Sequence, residues 1–279
     1  MKAKVLSIKC DVSIESKFRT GIFKFLQKMQ LSDNNFVVFS KMNSDNRGSL
    51  NNMYSEIIPE LFKIETGKPS CSSYLVKSAD RNILIDPGII DQLDSLLSDL
   101  KKIGVGSKDI DMVINTHEHV DHIGANKYFQ THSLIAADRF AATKIISADD
   151  EVLKCRALGH DIRGYKVNLW LMNINAITTG DWFLKVLHTP GHTSGSICIF
   201  EPFKRILFSG DTVFADGTIS NISTSGSYGE YINSLARLNT MKIDMILPGH
   251  GKISKNVEHD ILGAIENANS KHEKFLNGK

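Results

Sequence analysis

Cysteine is scarce in this sequence. Four cysteines, Cys10, Cys71, Cys155 and Cys198, are spread over 279 residues. No two stand as Cys-x-x-Cys, so neither a cysteine zinc knuckle nor a redox pair is indicated. A surplus of one charge sign is also missing: 33 Lys and Arg face 31 Asp and Glu, for a net charge of +2. Such a chain has no strong field to draw it onto nucleic acid. No apolar run approaches the ~18 residues needed to span a bilayer. The first nine residues are interrupted by Lys2, Lys4 and Lys9, which excludes a signal-peptide core there. No G-x-G-x-x-G or Walker loop occurs, which disfavours a nucleotide-binding sheet. The expectation is a cytoplasmic protein in a reducing setting, without membrane contact. Its 42% apolar and 23% charged residues are those of a globular chain.

What the sequence does have is ten histidines and a regular alternation of short apolar runs. Before residue 56 the pattern suggests a strand at 4–8, a helix at 18–30 and a strand at 36–40, followed by a polar linker at 43–49. This extension, residues 1–55, carries no chemical motif. It is expected to pack on the core or to pair two protomers as a homodimer. Beyond it, strands are predicted at 73–76, 82–85, 112–114, 133–137, 183–187, 196–200, 206–208 and 245–247. Helices are predicted at 124–130, 231–238 and 257–275. A further helix carries Leu93, Leu96, Leu97 and Leu100 on one face, and Gly104 closes it.

The densest feature is Thr116-His117-Glu118-His119-Val120-Asp121-His122, directly after the strand at 112–114. Imidazole nitrogens and carboxylate oxygens suit a borderline cation such as zinc. His117 and His119, two apart in an extended segment, point the same way and can grip one ion. Asp121 and His122 can reach another. Three more strands end in the same manner: at His192 in Thr189-Pro190-Gly191-His192-Thr193, at Asp211 in Ser209-Gly210-Asp211-Thr212, and at His250 in Pro248-Gly249-His250-Gly251. Each candidate ligand stands on a loop at a strand end, where a rigid scaffold presents functional groups.

These four segments, with Ile83-Leu84-Ile85-Asp86-Pro87-Gly88 before them, resemble the metallo-β-lactamase superfamily, and within it the glyoxalase II-like hydrolases. The resemblance covers residues 56 to 252 and implies a four-layer αββα sandwich, with residues 56–279 as the catalytic domain. It implies that His117, His119 and His192 hold one divalent ion, that Asp121, His122 and His250 hold a second, and that Asp211 bridges them. Zinc is the first expectation; iron or manganese suits the same ligands. The reaction implied is cleavage of an ester-like bond in a small molecule (thioester, lactone or related carboxylic ester) by a hydroxide held between the ions. Asp121 would orient the nucleophile and pass its proton to the leaving group. Asp86, Thr116, Thr193 and Thr212 are expected to orient the ligand rings, and His188 to be structural.

Departures from relatives bear on the substrate. Glyoxalase II enzymes add a C-terminal helical region that binds glutathione, whereas one helix's length follows His250 here, and their Gly-Cys-Gly segment after the bridging Asp is absent. Acyl-homoserine lactonases carry a Tyr where this chain has Phe214. The alternatives are a mononuclear iron persulfide dioxygenase, a phosphodiesterase or nuclease, and a non-catalytic sensor module. The first keeps the His-x-His motif. The second calls for a basic surface that the charge balance argues against. The third has no need of seven intact ligands. An insertion at 139–180 is expected to cover the metal mouth, with His160, Arg163, Tyr165 and Phe214 meeting the substrate.

Overall fold

The computed structural model describes residues 53–161, 163–171 and 176–278. The strands and helix expected at 4–40 lie outside the described residues. The described strands form two sheets. The first runs in order β1 (Tyr54–Ile58), β2 (Leu61–Glu65), β3 (Ser72–Val76), β4 (Asn82–Ile85), β5 (Ile110–Ile114), β6 (Leu134–Ala137) and β7 (Leu169–Trp170). The second holds β8 (Ala176–Thr179), β9 (Trp182–His188), β10 (Ile197–Glu201), β11 (Ile206–Gly210) and β12 (Met245–Pro248), with β8 and β12 at its edges.

Alternation along the strands builds four layers. Tyr74, Val76, Ile83, Ile85, Met112 and Ile114 face Ile197, Ile199, Ile206 and Phe208 across the space between the sheets. Their neighbours Leu75, Leu84 and Val113 point outward, against Leu96 and Leu100 of helix α1 (Leu93–Ile103). On the far side Cys198, Phe200, Leu207 and Ile246 meet helices α6 (Tyr228–Asn239) and α7 (Val257–Asn277). Between α1 and α6 lie the shorter α2 (Val120–Ile123), α3 (Asn126–Phe129), α4 (Arg139–Ser147) and α5 (Asp150–Leu153). With both faces covered, these strands read as continuous apolar runs. The result is the αββα sandwich. Cutting a fully buried side chain such as Leu100 to alanine costs about 2–5 kcal/mol.

The strands predicted beyond residue 56 appear with ends shifted by a residue or two. The hairpin β1–β2 and strands β7 and β8 were not predicted. The hairpin turns at Glu60, which adopts φ 67, and its strands carry the charged Glu56, Lys63 and Glu65, which hide the alternation. The described part of the 139–180 segment gives α4, α5 and the two edge strands β7, of the first sheet, and β8, of the second.

Strand direction brings the loops of the candidate ligands to one edge. β4, β5 and β6 are parallel, so Asp86 and Thr116 leave the first sheet at the same end. β11 and β12 are parallel, which does the same for Asp211 and His250. The Ile197 N–H donates to the Thr116 carbonyl at 2.8 Å and joins the two sheets there. No helix among the described residues is long and apolar enough to cross a membrane.

Candidate metal centre

The seven residues singled out as ligands converge. His119 Nδ1 lies 3.1 Å from His117 Nε2 and 3.0 Å from His192 Nε2. His250 Nε2 lies 3.1 Å from Asp121 Oδ2, and His122 Nε2 lies 3.8 Å from that same oxygen. Asp211 stands between the groups, with Oδ1 3.3 Å from His122 Nε2 and Oδ2 3.7 Å from His192 Nε2 and 3.8 Å from His250 Nε2. Overlapping sets of three, His117/His119/His192, His117/His122/Asp211 and Asp121/His122/His250, each place their donor atoms within 4.8 Å of one another.

The donor set fits a divalent cation. Buried polar atoms are nearly always hydrogen-bonded, yet two atoms on the inner side of the cluster, His122 Nε2 and Asp211 Oδ1, are buried without a hydrogen-bond partner. They face each other at 3.3 Å, where a cation would satisfy both. Burial, then the neighbouring imidazoles, pushes His117 well below the ordinary histidine value. Burial and His192 push His119 down to about 3. Both rings are therefore neutral, the form that binds metal. Burial works against ionising Asp121 and Asp211, but His122 and the other imidazoles outweigh it and hold both carboxyls below the usual carboxylate range. Burial likewise opposes charge on His122, yet Cys71, Asp211 and Asp86 raise its pKa well above the ordinary value.

Local packing fixes these loops. Asp86, at φ 52, accepts the Thr116 N–H at 2.8 Å and hydroxyl at 2.6 Å, and lies 2.9 Å from His122 Nδ1. Thr116 Oγ1 also meets His117 Nδ1 at 3.2 Å. His192 Nδ1 donates to the Asn221 carbonyl at 2.6 Å. The His250 loop hangs on the first sheet, through Tyr74 Oη to the Pro248 carbonyl, the Ser72 N–H to the Gly249 carbonyl and Lys63 Nζ to the Gly251 carbonyl. Gly249 is needed for that approach, because a Cβ there would lie 2.5 Å from Asp211 Oδ1 and 2.6 Å from His122 Cε1.

The remaining candidates are spread more widely. Thr193 Oγ1 donates to Glu118 Oε2 and away from the ligand rings. Thr212 Oγ1 lies 3.4 Å from Thr189 Oγ1. His188 stands apart from the cluster, with Nε2 3.1 Å from the Ser194 carbonyl. Phe214 lines a cavity of about 620 Å³ that reaches Asp211 and His250, together with Ile219, Asn221 and Lys252. His160 and Arg163 line a different cavity of about 540 Å³, and Arg163 pairs there with Asp161 at 2.7 Å. The Tyr165 hydroxyl is buried and donates to the Gly124 carbonyl at 2.6 Å. The wall beside the cluster is thus built by residues 214–221 and 250–252. Sequence reasoning passed over Ile219, Asn221 and Lys252; their adjacency to Asp211 and His250 in the chain was the available signal. It also passed over Cys71, which forms a buried set with Asp86 and His122 behind the ligands. Burial pushes the Cys71 thiol up to about 12.

Residues 66–250 match the family model of the metallo-beta-lactamase superfamily. A probable metallo-hydrolase of Methanocaldococcus jannaschii is 34% identical over 192 residues, covering 66% of this chain and 89% of that protein. The human acyl-coenzyme A thioesterase MBLAC2 is 28% identical over 201 residues, covering 63% and 71%. The hydroxyacylglutathione hydrolase GloC of Haemophilus influenzae is 26% identical over 215 residues, covering 71% and 91%. Among solved structures, a metallo-beta-lactamase family protein of Thermus thermophilus superposes with a TM-score of 0.69 at 19% identity, covering 80% of this chain and 83% of that one. The chain belongs to the metallo-beta-lactamase superfamily. Within it, the chain is a hydrolase of the metal-dependent, glyoxalase II-like kind.

Proposed function

We propose that this chain hydrolyses a thioester of a small acyl group, using two divalent ions, zinc first among them. The observation that carries this reading is the convergence of two sets of imidazoles and carboxylates on the shared Asp211. His117, His119 and His192 would hold one ion, and Asp121, His122 and His250 the other. When bound, such a pair makes water nucleophilic near neutral pH and polarises a carbonyl oxygen.

This chain's own groups supply the rest. The Asp121 side chain is 24% exposed, so it reaches both the cluster and the solvent-facing mouth. There it orients the attacking water and carries its proton to the leaving thiolate. Phe214 and Ile219 offer apolar surface to the acyl group. Lys252, paired with Asp216 at 2.9 Å at the surface, offers a charge to an anionic carrier. Thioesters come first among ester-like bonds because two relatives, MBLAC2 and GloC, are named for acyl-coenzyme A and hydroxyacylglutathione hydrolysis.

The test is an assay of the metal-reconstituted protein against acyl-coenzyme A, hydroxyacylglutathione, lactones, phosphodiesters and glutathione persulfide. Thioester cleavage that disappears with chelator is expected. Turnover of another class with none of the thioesters would overturn the proposal.

A further inference from the structure

Between His117 and His119 stands a residue that ligand spacing leaves unassigned. Glu118 is fully buried. Its carboxylate is turned to α4 and to the loop at 193–195 rather than to the two rings beside it. Its Oε1 accepts from Lys144 Nζ of α4 at 3.0 Å, and its Oε2 accepts from Thr193 Oγ1 at 2.8 Å. Lys144 Nζ also reaches Ser194 Oγ at 2.5 Å, and Thr193 Oγ1 meets Ser196 Oγ at 2.9 Å. The loop comes so close that a Cβ on Gly195 would lie 2.7 Å from Glu118 Oε2. One buried carboxylate therefore fastens the loop that carries His192 to the segment that carries His119.

The ligand rings show why such a fastening matters. A metal-bound histidine ordinarily gains its orientation from a hydrogen bond at its outer nitrogen. His122 meets Asp86, His117 meets Thr116 and His192 meets the Asn221 carbonyl. His119 Nε2 is buried and has no hydrogen-bond partner. Its ring is oriented through its backbone, one residue from Glu118. Its opposite number, His192, is one residue from Thr193. The two facing nitrogens, 3.0 Å apart, thus flank the two ends of the Glu118–Thr193 bond. A buried ion pair is a poor source of net stability, so stability alone does not account for Lys144 and Glu118.

We propose that Glu118, with Lys144 and Thr193, is a positioning residue of the metal centre that sets the approach of His119 to His192. This rests on reading His117, His119 and His192 as ligands.

The experiment titrates the metal-free full chain with zinc ions against a chromophoric chelator, for the native protein, E118Q, E118A, K144M and T193V. E118A is expected to weaken zinc binding by about ten- to hundredfold, the range for lost support of a metal ligand. E118Q, which keeps an acceptor for Thr193, is expected to lose less. The visible spectrum of the cobalt-substituted E118A protein should also change, which a purely structural loss would not cause in a folded chain. A folded E118A with native zinc affinity and native cobalt spectrum overturns the proposal. If E118A does not fold, K144M and T193V decide it, and native affinity in both overturns it. Zinc binding by the native chain without thioester turnover would overturn the proposed reaction alone, while absence of zinc binding would overturn both.

Discussion

The two proposed ligand sets differ in how they meet solvent. His117 and His192 are 1% and 4% exposed, and their set is enclosed by the Glu118 and Asn221 contacts. In the other set His122 is fully buried, but the side chains of Asp121 and His250 are 24% and 37% exposed, and His250 borders the cavity. One set is the more closed, with only His119 of its three partly exposed, and the other opens onto the place a substrate would enter. Rigidity and access are thus assigned to different residues of one cluster, and Asp211 is the residue they share.

That contrast can be broken most sharply at Asp211. Asp211→Ala should remove metal from both sets and lower kcat/KM on the order of a thousandfold or more, since several kcal/mol of transition-state stabilisation depend on the metals. Metal analysis and steady-state kinetics check this, and native metal content in the variant would show that Asp211 links nothing. Asp86→Ala should come next, with zinc affinity about ten- to hundredfold weaker because His122 loses its outer partner; competition titration reads it. His250→Ala should keep the closed set loaded, so about one ion per chain should remain after dialysis. Loss of both ions would mean that the two sets do not act separately. The smallest effect belongs to the cavity rim, where Lys252→Ala should raise KM for an anionic thioester about two- to fivefold, the scale of an exposed charge contact, with kcat unchanged. A fall in kcat instead would place Lys252 closer to the chemistry.

Much of the sandwich was legible because its strands are buried on both faces and end in glycine-flanked polar residues. Ile83-Leu84-Ile85-Asp86 and Ile206-Leu207-Phe208 before Gly210-Asp211 each announce a strand and the loop beyond it. The leucines of α1 show which side of that helix is covered. What stayed hidden depends on distant contacts. Glu118 reads in sequence as a solvated charge in a polar turn; its burial requires Lys144 and Thr193, 26 and 75 residues away. Lys63 disguises β2 for the same reason, since its ammonium is satisfied by Glu65 and by the carbonyl of Gly251, 188 residues on. His160 and Arg163 of the 139–180 segment were expected at the substrate, but chain position does not say which surface a segment joins, and they line a different cavity. Tyr165 serves α2's C-terminal turn through the Gly124 carbonyl.

The chain order of the proposed ligands has a consequence for assembly. His117, His119, Asp121 and His122 follow strands of the first sheet, and His192, Asp211 and His250 follow strands of the second. Each set therefore draws from both, joining His119 to His192 across 73 residues and Asp121 to His250 across 129. Such distant pairings form late, because the chain must first be closed into long loops. A half-folded chain with one sheet built would own neither set. Ion capture would then mark the docking of the two halves, and an ion once held would oppose their separation in proportion to how tightly it binds.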